Sequence, residues 1–178
     1  MCERAIHELP LIVREKEGLI IFSLFHYTGE IKKLISFLKG GKHPRVVHTL
    51  ARILVEKTAL YLPSSDGAIP APAATLGAAD HARVWAESVG VHLGVKVYDR
   101  ILTRVPQNTD QKTKDIKQRH EIKVAPGPDF NAESVQEAVW ILVDDVITTG
   151  STLQACWNQL QKPQAYGLTL ASTPRFFD

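Results

Sequence analysis

Two adjacent carboxylates, Asp144 and Asp145, close an unbroken apolar run, Val139-Trp140-Ile141-Leu142-Val143. Val146, Ile147, Thr148, Thr149, Gly150, Ser151 and Thr152 follow at once. Such a run predicts a central strand of a parallel sheet. It would deliver both acids to the carboxyl edge, where open α/β sheets bind ligands. A helix beginning just beyond leaves free backbone N–H groups and the positive end of its dipole at the same place. With the hydroxyls of Thr148, Thr149, Ser151 and Thr152 they form a cradle for phosphate. Gly150 lets the backbone approach the anion closely. The acids would repel phosphate, so they suit the neighbouring hydroxyls of a ribose or a hydrated Mg²⁺. The combined ligand is a sugar phosphate. A simple helix cap needs one hydroxyl rather than four and gives no reason for paired carboxylates.

The elements that must hold this segment can be read from periodicity. Leu11-Ile12-Val13 and Leu19-Ile20-Ile21-Phe22 flank a charged turn over Arg14 to Gly18, which predicts a hairpin. A helix follows, with Thr28 as its cap, Ile31, Leu34, Ile35 and Leu38 on one face, and Gly40-Gly41 as its stop. A second helix is expected from Pro44 to about Leu62, burying Val47, Leu50, Ala51, Leu54 and Val55. Ala68-Ile69 reads as a buried strand broken by Pro70-Ala71-Pro72. Another helix is expected over Ala78 to Leu93, then extended chain at Val95–Tyr98 and Ile101-Leu102. The polar stretch from Pro106 to Gln136 predicts a functional loop or a loop containing a short helix. After the phosphate segment come a helix burying Leu153, Cys156, Trp157 and Leu160, and a last strand over Ala165–Ser172. Strands alternating with helices predict an α/β fold with a mainly parallel central sheet, helices on its sides and an N-terminal hairpin.

The 178 residues suit one domain, 1–178, with a long loop at about 104–136. Basic and acidic groups number 21 and 19, a net charge of +2 that predicts no attraction to nucleic acid or membrane. Cys2 and Cys156 stand far apart and make neither a zinc site nor a disulfide framework. The N-terminus carries acids and lacks the apolar core of a signal peptide, and Leu19 to Phe25 is too short to span a bilayer. A cytoplasmic protein is expected.

The segment Ile141 to Thr152 resembles the PRPP-binding motif of type I phosphoribosyltransferases: apolar residues, two acids, then a Thr/Gly/Ser-rich loop. Most of the chain from Tyr27 onward is similar to the ComF-type competence proteins of that superfamily. Tyr27-Thr28-Gly29 and the helix to Lys39 look like one family segment, and Ile69-Pro70-Ala71-Pro72 looks like its Val-Pro-Val-Pro strand. Arg104, Thr109, Gln111 and Arg119 match the spacing of its variable loop. The resemblance implies a phosphoribosyltransferase-like fold and Mg²⁺-dependent displacement of pyrophosphate from PRPP by a nitrogenous acceptor. It implies that Asp144 and Asp145 orient ribose and metal, that Val146 to Thr152 hold the 5-phosphate, and that Ala71, Arg104, Gln111 and Arg119 face pyrophosphate. Many proteins of the fold pair up, so a homodimer is expected.

Three departures qualify the pattern. The family's four-cysteine zinc module is missing, so no zinc is implied. Ala78 to Arg83 replaces its Arg-Gly-aromatic-Asn-Gln signature. Lys162-Pro163-Gln164 replaces an alanine-containing turn. The second departure keeps open a non-catalytic reading, a PRPP- or nucleoside-monophosphate-binding protein in regulation or DNA uptake. The cationic loop from Arg104 to Lys123 also admits a single-stranded nucleic-acid partner, but it lacks interleaved aromatics. His81 reads as a surface histidine at a helix start, Trp140 and Trp157 as core, and Phe176-Phe177 as terminal packing.

Overall fold

The computed structural model describes residues 2–39, 43–73, 80–105 and 122–174. A short helix, α1 (Glu3–Glu8), precedes the hairpin of β1 (Ile12–Lys16) and β2 (Leu19–His26). The helices α2 (Gly29–Lys39) and α3 (Pro44–Thr58) lead to β3 (Gly67–Pro70) and α4 (His81–Leu93). Then come β4 (Lys96–Val97), β5 (Leu102–Arg104), β6 (Val124–Pro126) and α5 (Ala132–Glu137). The chain closes with β7 (Trp140–Ile147), α6 (Ser151–Gln159) and β8 (Ala165–Ser172).

The expected α/β architecture is present. Six strands lie in the order β1-β2-β8-β7-β3-β4. All neighbours run parallel except β1, which pairs antiparallel with β2. Alternation along β7 divides the core. Ile141 and Val143 pack with Leu50, Leu54, Trp85 and Val89 of α3 and α4. Trp140 and Leu142 face the opposite side, with Leu153, Cys156 and Leu160 at α6 and Val135 of α5. Side chains one residue apart on a strand must take opposite faces, so one eight-residue strand builds both layers.

Several boundaries differ from the periodicity. Strand β1 continues through Arg14, Glu15 and Lys16, and the turn shrinks to Glu17-Gly18 with φ of 51° and 95°. An edge strand has a solvent face, so charges do not end it; two positive φ values give the tight turn that matches strand twist. Helix α3 stops at Thr58, whose hydroxyl bonds back to the Leu54 carbonyl at 2.9 Å. Helix α4 starts at His81 because Asp80 caps it, accepting from Arg83 N–H at 3.0 Å. The described end of the polar stretch holds β6, paired antiparallel with β5, and the short helix α5.

The strand order creates the crevice. The chain leaving β3 proceeds to β4 on one side, and the chain leaving β7 proceeds to β8 on the other. Adjacent parallel strands whose connections diverge leave a gap at their carboxyl ends, the usual ligand position in such sheets. The close approach of β3 depends on Gly67, paired with Trp140 of β7. A Cβ there would meet Tyr98 Cε2 at 2.6 Å and Trp140 Cζ3 at 2.7 Å. Those rings pack edge to face, 5.3 Å between centroids. Gly67→Ala is therefore expected to destabilise the fold by about 1–3 kcal/mol, the usual cost of overpacking. The shift of the denaturant midpoint measures it.

Candidate functional site

Strand β7 does not end before the acids; it carries them. Asp144 pairs with Thr169 of β8, and Val146 and Ile147 pair with Ala171 and Ser172. Alternation therefore sends the two carboxylates to opposite faces. Asp144 lines a concavity of about 250 Å³ with Val146, Ile147 and the loop from Thr148 to Leu153. Asp145 lines another on the α3/α4 face. Both residues are half-buried. Each carboxylate accepts the N–H of the residue after it, Asp145 N–H onto Asp144 and Val146 N–H onto Asp145, both at 2.8 Å.

The loop is built so that its carbonyls are occupied and its N–H groups are left. Thr173 donates its hydroxyl to the Thr148 carbonyl at 2.9 Å, and Lys16 Nζ donates to the Thr149 carbonyl at 2.5 Å. Gly150 adopts φ +70°, turning the chain into α6, and its carbonyl accepts from Gln154 N–H at 2.9 Å. The hydroxyls of Thr149 and Ser151 lie 2.8 Å apart. Among the described residues, the N–H groups of Thr148, Thr149, Gly150 and Thr152 have no acceptor. Unpaired donors at a helix start, beside small hydroxyls and a positive-φ glycine, are complementary to a dianionic phosphate.

Burial, then the neighbouring Asp145 carboxylate, raise the pKa of Asp144 well above the ordinary carboxylate range. Between the ordinary carboxylate pKa and that raised value, the folded chain holds a proton that the unfolded chain has released. The native state binds more protons than the unfolded one above the ordinary carboxylate pKa, so stability falls as pH rises from there through the raised value. Asp144→Asn is expected to remove this penalty. Thermal melts from acid to neutral pH should then show a flatter profile and a higher midpoint at pH 7 than wild type.

Asp145 faces a different partner. Lys39, the last residue of α2, places Nζ 2.6 Å from its Oδ2. This ammonium is the one cation against Oδ2, which meets no other donor among the described residues. Lys39 entered the sequence reading only as the end of a helix, and nothing in its spacing marked it for Asp145.

The remaining site residues are distributed as follows. Ala71 is buried, and its N–H donates to the Val143 carbonyl at 2.8 Å, extending the β3/β7 ladder. Arg104 ends β5 on the α6 side, within electrostatic reach of buried Cys156, as is Asp144. Gln111, Arg119 and Thr109 lie outside the described residues, as do Phe176 and Phe177. Ile122 lines the Asp144 concavity and was missed; its one signal was an apolar side chain among charges. Cys156 is core, its thiol pKa pushed up by burial. Trp140 is also core, whereas Trp157 is half-buried. Among the described residues, no cluster of three or more His, Cys, Asp or Glu could hold a metal. None of the described helices is long and apolar enough to cross a membrane.

No protein-family model matches the chain, and no curated protein matches it. Among solved structures it is similar to a purine phosphoribosyltransferase from Pyrococcus horikoshii Ot3. Identity is 19% and the TM-score 0.45, over 72% of this chain and 73% of that one. An adenine phosphoribosyltransferase from Saccharomyces cerevisiae matches at 12% identity and TM-score 0.43, over 98% and 89%. A hypothetical protein from Neisseria gonorrhoeae with bound ppGpp matches at 13% identity and TM-score 0.44, over 83% and 69%.

Proposed function

We propose that the chain is a type I phosphoribosyltransferase of the ComF-like kind, binding the 5-phosphoribose of PRPP over Asp144 to Thr152. The observation that carries this reading is the set of acceptorless N–H groups at Thr148, Thr149, Gly150 and Thr152, residues that line one concavity with Asp144. A phosphate satisfies the N–H groups, and ribose hydroxyls donate to the carboxylate.

In this reading a nitrogen lone pair of the acceptor forms a bond to C1 of PRPP. The bond from C1 to oxygen breaks, pyrophosphate leaves with the electron pair, and the acceptor sheds its N–H proton. The loop fixes the ribose against the attacking group, which removes much of the entropic barrier. Arg104, whose charge reaches Cys156 on the Asp144 side of the sheet, would meet negative charge developing on the leaving group. Asp144 and Asp145 suit a hydrated Mg²⁺ held through water and substrate, as the described residues offer no dedicated cage of carboxylates. Mg²⁺, when bound, would neutralise pyrophosphate charge.

One observation favours a second reading, a non-catalytic PRPP or nucleotide sensor, the role that would fit regulation or DNA uptake. The N–H of Ala71, just past β3, is spent on Val143 and is not free for pyrophosphate. Calorimetric titration of PRPP with and without Mg²⁺ tests the shared premise, and pyrophosphate release on adding candidate acceptors separates the two. Magnesium-dependent binding with release supports the transferase; binding without release supports the sensor. Absence of binding to PRPP, ribose 5-phosphate or any nucleotide sinks both.

A further inference from the structure

Lys16 is the last residue of β1, and its ammonium bonds to the Thr149 carbonyl, 133 positions away in sequence, at 2.5 Å. It does not line the concavity that Asp144 shares with the loop from Thr148 to Leu153, and neither does Thr173. Both side chains grip the loop by a carbonyl, Thr173 that of Thr148 and Lys16 that of Thr149. A trans peptide is planar, and its carbonyl and N–H point in opposite directions. Fixing the Thr148 carbonyl therefore aims Thr149 N–H away from Thr173. Fixing the Thr149 carbonyl aims Gly150 N–H away from Lys16. Both N–H groups lack an acceptor among the described residues. The turn after Lys16 is itself seated on α6. A Cβ on Gly18 would meet the Trp157 ring at 3.3 Å, and Trp157 Nε1 donates to the Pro163 carbonyl at 2.8 Å.

The Thr149–Gly150 peptide is the unit of this loop most in need of such a hold. A peptide turns over by changing ψ of the residue before it and φ of the residue after it. Gly150 stands at φ +70°, and glycine accepts either sign of φ about equally. The peptides entering Thr149 and Ser151 are followed by residues with a Cβ, which resists a change of sign. Turned over, the Thr149–Gly150 unit would put its carbonyl oxygen where its N–H now points, and an anion would meet partial negative charge. We propose that Lys16 is a positioning residue for the bound phosphate, locking this peptide so that Gly150 N–H faces the anion. The same bond polarises the unit. A charge-assisted hydrogen bond on the carbonyl strengthens donation from the N–H at its other end. Identifying the anion as the 5-phosphate of PRPP rests on the function proposed above.

The test is proton–nitrogen NMR of wild type, Lys16→Met, Lys16→Arg and Thr173→Val, each titrated to saturation with inorganic phosphate and with ribose 5-phosphate. In wild type the amide protons of Thr149 and Gly150 should both move downfield as the anion binds. Lys16→Met keeps the length of the side chain and deletes the ammonium. It should remove the Gly150 displacement, retain that of Thr149, and weaken ribose 5-phosphate about tenfold or more. Lys16→Arg restores a cationic donor and should recover most of the displacement and of the affinity. Thr173→Val keeps the backbone N–H bond to the Ile147 carbonyl and should do the reverse, silencing Thr149 and sparing Gly150. These opposite losses separate positioning from a general loss of fold or of charge, which would weaken both amides alike. Equal displacements in wild type and every variant overturn this inference alone. So does a Lys16→Met protein in which both amides are lost together. Wild type that binds neither phosphate nor ribose 5-phosphate overturns the proposed function, and this inference with it.

Discussion

Titration of PRPP into a double variant, Asp144→Asn with Asp145→Asn, is expected to show no magnesium-dependent binding in a protein that remains folded. Each carboxylate would accept charge-assisted hydrogen bonds from ribose hydroxyls or metal-bound water, at roughly 1.5–3 kcal/mol apiece. Removing both costs about 3–6 kcal/mol, or roughly a hundredfold to ten-thousandfold in affinity. The two singles should not be equivalent. Asp144 shares one concavity with the Thr148–Leu153 loop, so Asp144→Asn should carry most of the loss. Asp145→Asn strands Lys39 instead, leaving an uncompensated ammonium where an ion pair stood. A folded double variant that binds PRPP like wild type would defeat the site assignment.

Gly150→Val should be the most damaging single change in the loop. Gly150 sits at φ +70°, where a β-branched residue is an outlier costing on the order of 1–3 kcal/mol. Relieving that strain means moving the turn, and the turn aims the N–H groups of Thr148, Thr149 and Thr152. Loss of several anion contacts together should weaken PRPP or ribose 5-phosphate binding by about a hundredfold. Removing one hydroxyl, as in Ser151→Ala, deletes a single hydrogen bond and should cost only about tenfold at most. Calorimetry on the two variants gives the ranking. Equal effects would mean that side chains, not backbone, hold the anion.

Much of this was legible in the chain because its strongest signals are local. The apolar run before Asp144 and the glycine among hydroxyls each state a backbone requirement on their own. The spacing of Ile31, Leu34, Ile35 and Leu38 did the same for α2. The end of β7 was not legible. Two acids after Val143 look like a strand stop, but Asp144 pairs across to Thr169 and the ladder continues to Ile147. Pairing is a property of β8, whose own end at Ser172 lies 25 positions later in the chain than Ile147. The β5/β6 pair was hidden for the opposite reason. Three-residue strands, one of them ending in Pro126, carry too few side chains to establish a period. Helix α1 was missed as well; its six residues bury only Ile6. Lys39 acquires meaning only where α2 meets the sheet, a tertiary fact that no window of sequence contains.

On a strand, cooperation between two residues depends on the parity of their separation. Asp144 and Asp145 differ by an odd step, so they line two different concavities while their charges still repel. A single residue inserted between them would make the step even and bring both carboxylates into one compartment, unless a bulge absorbed it. The repulsion that already raises the Asp144 pKa would then grow.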